Sequence, residues 1–172
     1  TALTNITFGE NQMTSMDLSN NPALTELYCR YNSQLTSLDL SNNTALTTLW
    51  VFNNNQLTGL LQDLIAPLTS LNELRLQNNQ LSGFVPSNIC NLTIDFSDPN
   101  SFNISNNNLC QPYPLCVADY VGVQNCALPI AEHEVSNEAN FVSSVYAVDV
   151  DGDGDMDVLS ASQVNNKIAW HE

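Results

Sequence analysis

A nine-residue pattern that recurs along the first two thirds of the chain restricts its fold more than any other feature. Apolar residues stand at the first, fourth and sixth places, and asparagine stands at the ninth. Four segments fit it and a degenerate fifth follows: LTNITFGEN (3–11), LTELYCRYN (24–32), LTTLWVFNN (46–54), LNELRLQNN (71–79) and SFNISNNN (101–108). One such unit cannot bury its apolar edge alone, so the repeat predicts stacked coils that share one continuous core.

The spacing within each unit predicts its local structure. Apolar residues two places apart indicate a short strand whose alternate side chains point inward and outward. The asparagine at the ninth place can donate to and accept from backbone groups of the turn after each strand. We therefore predict an asparagine ladder and a repeat solenoid of the α/β type, mostly β with few helices. The ladder positions are Asn11, Asn32, Asn54, Asn79 and Asn107.

The charge balance excludes two classes of partner. The 172 residues contain 3 Lys and Arg against 18 Asp and Glu, which gives a net charge of −15. Nucleic acid and anionic membrane surfaces are therefore poor partners. No apolar run reaches the roughly 18 residues that a membrane span needs, so we expect no membrane insertion in this segment. The chain starts at Thr1 inside the repeat pattern, and we interpret it as part of a longer protein.

Four of the five cysteines lie close together in the sequence, at Cys90, Cys110, Cys116 and Cys126. An even number of clustered cysteines indicates local disulfides and an oxidising compartment. Zinc is the weaker alternative, because no C-x-x-C pair is present and no histidine lies near the cluster. The four cysteines allow three pairings. Cys29 occupies an apolar place of the repeat and is predicted to be buried.

The repeats resemble the leucine-rich repeat family over residues 1–109. The half-repeats MTSMDLSNN (13–21) and LTSLDLSNN (35–43) resemble those of short bacterial repeats, and LSGFVPSNI (81–89) resembles the L-x-G-x-I-P segment of plant-type repeats. Residues 110–126 lie in a stretch similar to the cysteine-containing C-terminal caps of such arrays. That resemblance implies the disulfide pairs Cys110–Cys116 and Cys90–Cys126.

The composition of the sequence and its pattern of apolar residues change after residue 126. Residues 127–140 are polar and acidic and are predicted to form a linker. Residues 141–172 read as a strand, an acidic loop, a strand, a turn and a strand. The loop, DVDGDGDMD, holds five carboxylates at alternating positions, which repel one another unless a cation lies among them. Oxygen ligands in a flexible loop suit Ca²⁺, but an EF-hand is excluded because Ser160 stands at its twelfth place.

This loop resembles the calcium loops of FG-GAP/VCBS repeats, the blades of integrin-like propellers. The resemblance implies a structural Ca²⁺ site and a partial repeat over residues 141–172. The side-chain ligands would be Asp149, Asp151, Asp153 and Asp157, with Asp155 contributing its backbone carbonyl. A solvated acidic turn is the alternative interpretation.

The outward places of the predicted strands carry an unusual set of side chains. In the repeat fold they line one open, concave sheet, where Tyr28, Trp50 and Phe52 should form an aromatic patch flanked by Arg30 and Arg75. Arginine and large aromatic residues dominate binding surfaces. The alternative is that aromatic pairs across strands only stabilise the sheet.

No nucleophile, base or phosphate-binding loop stands in a catalytic arrangement in the sequence, so we predict a protein that is not an enzyme. The expected function is recognition of a protein or carbohydrate ligand by a secreted or cell-surface adhesion module. Two alternatives stay open: a non-catalytic targeting region of a larger secreted hydrolase, and a cell-envelope spacer. The sequence does not name the ligand or the oligomeric state.

Overall fold

The computed structural model of the chain describes residues 2–126 and three strand segments, residues 142–148, 157–162 and 167–171. The chain divides into two units, Thr1–Leu128 and Pro129–Glu172. The predicted linker at 127–140 and the loop aspartates from Asp149 to Asp155 lie outside the described residues. In the described part of the chain, no helix is long and apolar enough to cross a membrane.

Short parallel strands, one or two in each coil, build the first unit. Within residues 2–126 they are β1 (Asn5–Gly9), β2 (Glu26–Arg30), β3 (Thr48–Trp50), β4 (Thr58–Leu60), β5 (Glu73–Arg75), β6 (Gln80–Phe84), β7 (Phe102–Asn103) and β8 (Asn108–Cys110). A short helix, α1 (Leu61–Ile65), and a 3₁₀ helix at Ser87–Asn91 complete the coils. The predicted solenoid, mostly β with few helices, is confirmed.

The first sheet contains one strand from each repeat, in the order β1-β2-β3-β5-β7, and all its strands are parallel. Its register aligns the fourth place of every repeat, so one apolar row runs through the core: Ile6, Leu27, Leu49, Leu74 and Phe102. Burying each leucine of this row stabilises the fold by about 2 kcal/mol, and the row continues only while coils stack.

The predicted asparagine ladder is present from the second repeat onward. The backbone N–H of Asn32 donates to Asn54 Oδ1 (2.8 Å), and the N–H of Asn54 donates to Asn79 Oδ1 (3.1 Å). The Asn54 amide group donates in turn to the carbonyl of Cys29 in the preceding coil (2.9 Å). Asn11 differs: it is exposed and donates only locally, to the Gly9 carbonyl.

The residue before each ladder asparagine adopts the left-handed backbone conformation. These residues are Glu10, Tyr31, Asn53, Asn78 and Asn106, with φ between 55° and 61°. Asparagine tolerates this conformation better than most residues, which accounts for the Asn-Asn doublets that end three of the repeats. Tyr31 adopts it at a cost of about 1 kcal/mol.

A second parallel sheet, of order β4-β6-β8, was not predicted from the sequence. It begins where the repeats lengthen and the motif L-x-G appears at residues 57–59 and 81–83. Gly83 has φ of +83°, and a Cβ there would lie 2.6 Å from the Gln62 side-chain oxygen. The flexible Gln62 side chain could move aside, so the positive φ is the feature that favours glycine at this point of β6.

The C-terminal cap continues the ladder with a glutamine. Gln124 Oε1 accepts from the Leu109 N–H (3.3 Å), and its amide group donates to the carbonyls of Ile104 (3.0 Å) and Val121 (2.7 Å). Val117 and Val121 are buried in the core. The cap therefore supplies the polar and apolar contacts that a further coil would make.

The predicted disulfide pairing is wrong. The bonds join Cys90 to Cys116 and Cys110 to Cys126, with Cα–Cα distances of 5.8 Å and 5.0 Å. The reason is the cap register: Asn107 pairs in parallel with Gln124, which brings Cys126 alongside the end of β8 at Cys110. Cys90, in the 3₁₀ helix, then bonds to Cys116. Cys29 is a buried free cysteine, as predicted.

The second unit contains three strands: β9 (Val142–Val148), β10 (Asp157–Ser162) and β11 (Lys167–His171). They form an antiparallel sheet of order β11-β10-β9. The strands follow the predicted order along the chain. Val148 pairs with Asp157, so the acidic segment of residues 149–156 joins two paired strands.

Candidate binding surface

The open face of the first sheet, meaning the side opposite the core, brings three of the predicted site residues into one row. The register pairs Tyr28 with Trp50 and Trp50 with Arg75. The row ends at Thr7 on β1 and Asn103 on β7. Tyr28, Trp50 and Arg75 are each half-buried. Side chains that are 22 to 25 residues apart in the sequence are therefore neighbours on one surface.

An aromatic cluster of Tyr28, Tyr31, Trp50 and Phe52 occupies the middle of this face. Tyr28 meets Trp50 edge-on with ring centroids 5.1 Å apart, and Tyr31 meets Phe52 edge-on at 5.9 Å. Trp50 and Phe52 lie 6.5 Å apart. Edge-to-face pairs of this kind contribute about 1 kcal/mol each beyond area burial. The cluster is therefore a fixed surface, with ring orientations set by mutual contact.

Tyr31 was missed by the sequence analysis, although it is half exposed at the edge of the cluster. The eighth place follows the strand, and its left-handed backbone turns the Tyr31 side chain toward Phe52. The available signal was an aromatic residue at a place where three repeats carry asparagine. Tyrosine has no backbone advantage there, so its side chain has another role.

Phe52 differs from its prediction. It points to the open face but is only 6% exposed, because neighbouring side chains cover it. The guanidinium carbon of Arg75 lies 4.9 Å from the Phe52 ring centroid and Tyr31 covers another side. Phe52 therefore supports the aromatic cluster from beneath and offers little surface to a ligand.

Arg75 lies against the cluster instead of flanking it. Its guanidinium carbon is 4.8 Å from the Trp50 ring centroid, which is a cation–π contact. The Nε atom is buried without an acceptor among the residues that the structure describes. Hydrogen bonds that Asn100 and Ser101 donate to the Asp98 carboxylate lower its pKa, and the positive charge of Arg75 lowers it further.

Two carboxylates hold the aromatic side chains in place. Glu73 Oε2 accepts from the Trp50 indole N–H (3.0 Å), and Glu26 Oε2 accepts from the Tyr28 hydroxyl (3.2 Å) and from the Asn5 side chain. Partial burial and then the bond to Glu26 raise the pKa of Tyr28, so its hydroxyl stays a neutral donor. These bonds fix the polar atoms of both aromatic residues.

Arg30 lies at the N-terminal end of the face and is exposed. Its Cγ and Nε atoms lie 3.6 Å from the point where a Cβ of Gly9 would stand, so the side chain extends over the backbone of β1.

Next to the cluster, a second amide ladder joins Asn53, Asn78 and Asn106. Asn78 donates to Asn53 (2.6 Å), and Asn106 donates to Asn78 (2.8 Å).

The described residues show no cluster suited to a metal ion. Of the predicted calcium ligands, only Asp157 is in a described strand, at the beginning of β10.

Burial raises the pKa of the Cys29 thiol to about 11, which makes it a poor nucleophile at neutral pH.

Residues 70–92 match the family model of the Leucine Rich Repeat. The match covers β5 and β6, including Arg75 of the open face, and ends just after the 3₁₀ helix. No curated protein and no solved structure matches the chain. Leucine-rich repeats commonly mediate protein binding and are generally not catalytic. The match supports a leucine-rich repeat at residues 70–92, within the stacked parallel coils of the first unit.

Proposed function

We propose that this protein is a secreted or cell-surface binding module that captures a protein ligand on the open face of its first sheet. The observation that carries the proposal is the aromatic cluster with Arg75, since tyrosine, tryptophan and arginine are the residues enriched at the centres of interfaces. Its rings are held by mutual contact and by Glu26 and Glu73. A fixed surface loses little conformational entropy when a ligand binds.

The geometry favours a protein ligand over a carbohydrate. A sugar ring stacks on the open face of an aromatic ring. One face of Trp50 is covered by the Arg75 guanidinium, and Trp50 also packs in an edge-to-face pair with Tyr28. What the cluster presents instead is an uneven surface of ring edges, a guanidinium and amide groups, which suits the mixed surface of a protein.

Substitution of the cluster tests this proposal. Peptides would be selected on the full chain from a phage library of random twelve-residue sequences, and their affinities measured by interferometry. We expect Trp50→Ala and Tyr31→Ala each to weaken binding about 30-fold or more, the effect of removing a central aromatic anchor. Tyr31→Ala is the variant less able to disturb folding, because that side chain is half exposed.

Two other exposed aromatic residues provide matched controls. Phe84, on the second sheet, is 46% exposed, and Tyr120, in the cap, is 45% exposed. Phe84→Ala and Tyr120→Ala should leave the affinities within about twofold. A library that yields no peptide dependent on the cluster, or equal losses in these controls, would contradict binding at the open face.

The oxidised cysteines support an extracellular location. Two disulfides close the cap, and such bonds persist in oxidising compartments.

We further propose a structural Ca²⁺ site in the second unit. Support comes from the pairing of Val148 with Asp157, which brings the two ends of the acidic segment together. Four aspartates from Asp149 to Asp155 therefore belong to one short connection between paired strands, and a fifth, Asp157, begins β10, so that their repulsion opposes folding without a cation. Calcium would hold the connection and perform no reaction there.

Chelation tests the calcium proposal. At free Ca²⁺ about 100 times its dissociation constant, the second unit should gain about 2.7 kcal/mol, and EDTA should remove that gain. Hydrogen exchange would follow β9 and β10 separately from the first unit, which should barely respond. Asp153→Asn should reproduce the effect of EDTA, whereas Asp95→Asn in the first unit should not. Equal exchange with and without Ca²⁺ would refute the site.

A further inference from the structure

Arg75 is a partly buried cation that forms no ion pair with the described residues. Its charge acts on Asp98, but the oxygens of that carboxylate accept hydrogen bonds from Asn100 and Ser101. Its guanidinium lies between the rings of Trp50 and Phe52, 4.8 Å and 4.9 Å from their centroids. Its Nε is buried without an acceptor among the described residues, while the side chain as a whole is only partly buried. Removing a guanidinium from water costs free energy unless an anion compensates. A ligand can supply that anion.

The carboxylates of the open face do not serve this purpose. Glu73 accepts from the Trp50 indole, and Glu26 accepts from Tyr28 and Asn5. Both are therefore bonded to neutral donors, at the beginning of their strands. Arg75 and Arg30 stand further along the strands, so the face has separate acidic and basic ends. Electrostatic complementarity of this kind fixes the orientation of a partner.

We infer that the protein ligand presents an aspartate or glutamate side chain to Arg75. This inference rests on the proposed function and narrows it. The planar guanidinium matches a carboxylate with two parallel hydrogen bonds, and the two rings hold that plane in place before the ligand arrives. Arg30, exposed, lies two strands away and two residues further along, roughly 12 Å between Cα atoms, and its side chain extends over β1, so Arg75 is the cation that meets this carboxylate.

The acidity of the rest of the unit limits what this ligand is. Residues 1–126 contain nine acidic residues and two cations, Arg30 and Arg75, for a net charge of −7. A strongly acidic partner would be repelled beyond the immediate contact, since screening acts over about 8 Å at physiological salt. The ligand surface is therefore neutral or basic overall and carries an acidic side chain at the point that meets Arg75.

The selected peptides test this inference. They are expected to share an aspartate or glutamate, and its replacement by asparagine or glutamine should weaken binding to the unmodified chain about tenfold or more. Arg75→Gln should weaken peptide binding by a similar factor. Arg75→Lys should weaken it nearly as much, because lysine lacks the planar pair of donors. Lys167→Gln removes the same charge from the second unit and should change nothing.

A charge exchange separates this pairing from a structural role of Arg75. Arg75→Glu should bind a peptide whose acidic residue is changed to lysine at least tenfold better than it binds the original peptide. Peptides without a shared acidic residue, or an unchanged affinity in Arg75→Gln, would overturn the inference. If Trp50→Ala and Tyr31→Ala still weaken binding in that case, the proposed function stands; if they do not, both fail.

Discussion

Replacing Asn79 with alanine is expected to lower the free energy of unfolding by about 3 kcal/mol or more. Its side chain donates to the carbonyls of Val51 (2.6 Å) and Leu76 (2.7 Å) and accepts from the Asn54 N–H (3.1 Å). All three bonds lie in the buried interior, so alanine leaves the Asn54 N–H and the Val51 carbonyl without partners, whereas the Leu76 carbonyl still accepts from Asn107 (2.9 Å). Urea denaturation of the full chain carrying Trp170→Phe, so that fluorescence reports on Trp50 alone, would measure the loss.

Asn11→Ala is the matched control for this substitution. Asn11 holds the same place in its repeat, but it is exposed and donates only to the Gly9 carbonyl (2.7 Å). Its replacement should change the free energy of unfolding by no more than about 0.5 kcal/mol. Similar costs for both variants would mean that water satisfies the ladder carbonyls at Asn79, and that the ladder does not hold the coils together.

The solenoid and its ladder could be predicted because the same residues recur at matching places. Leu27, Leu49 and Leu74 stand at one place of the pattern, and stacking is the only arrangement that buries them all. The row of Tyr28, Trp50 and Arg75 follows from the same alignment, since the register that aligns the core also aligns the outward side chains. Repetition in sequence thus determines placement on the surface.

Features that depend on contacts between different places of the pattern could not be predicted. Phe52 and Trp50 both stand at outward places, but only the structure shows that Arg75 lies on the Phe52 ring and removes it from solvent. Tyr31 reaches the face through a left-handed turn, which the strand alternation does not describe. The second sheet depends on how β4 and β6 pair across coils, and only two L-x-G motifs indicated it.

The disulfide pairs illustrate the same limit and lead to the second large expected effect. Resemblance to other caps implied Cys110–Cys116, but the parallel pairing of Asn107 with Gln124 sets Cys126 beside Cys110. Peptide mapping without reduction should recover fragments that join Cys110 to Cys126 and Cys90 to Cys116. Fragments that join Cys110 to Cys116 would contradict this cap register.

Removing the Cys110–Cys126 bond by a double change to serine should destabilise the cap by about 3 kcal/mol, as expected for a bond that closes a loop of this length. Coils of a solenoid contact only their neighbours, so the loss should begin at the cap and fall off toward β1. Hydrogen exchange can resolve this: the Leu109 N–H, bonded to Gln124, should lose protection while that of Leu27 keeps it. An equal loss of hydrogen-exchange protection along the array would instead mean that the unit unfolds in one step. The cap would then stabilise distant coils as strongly as the coil next to it.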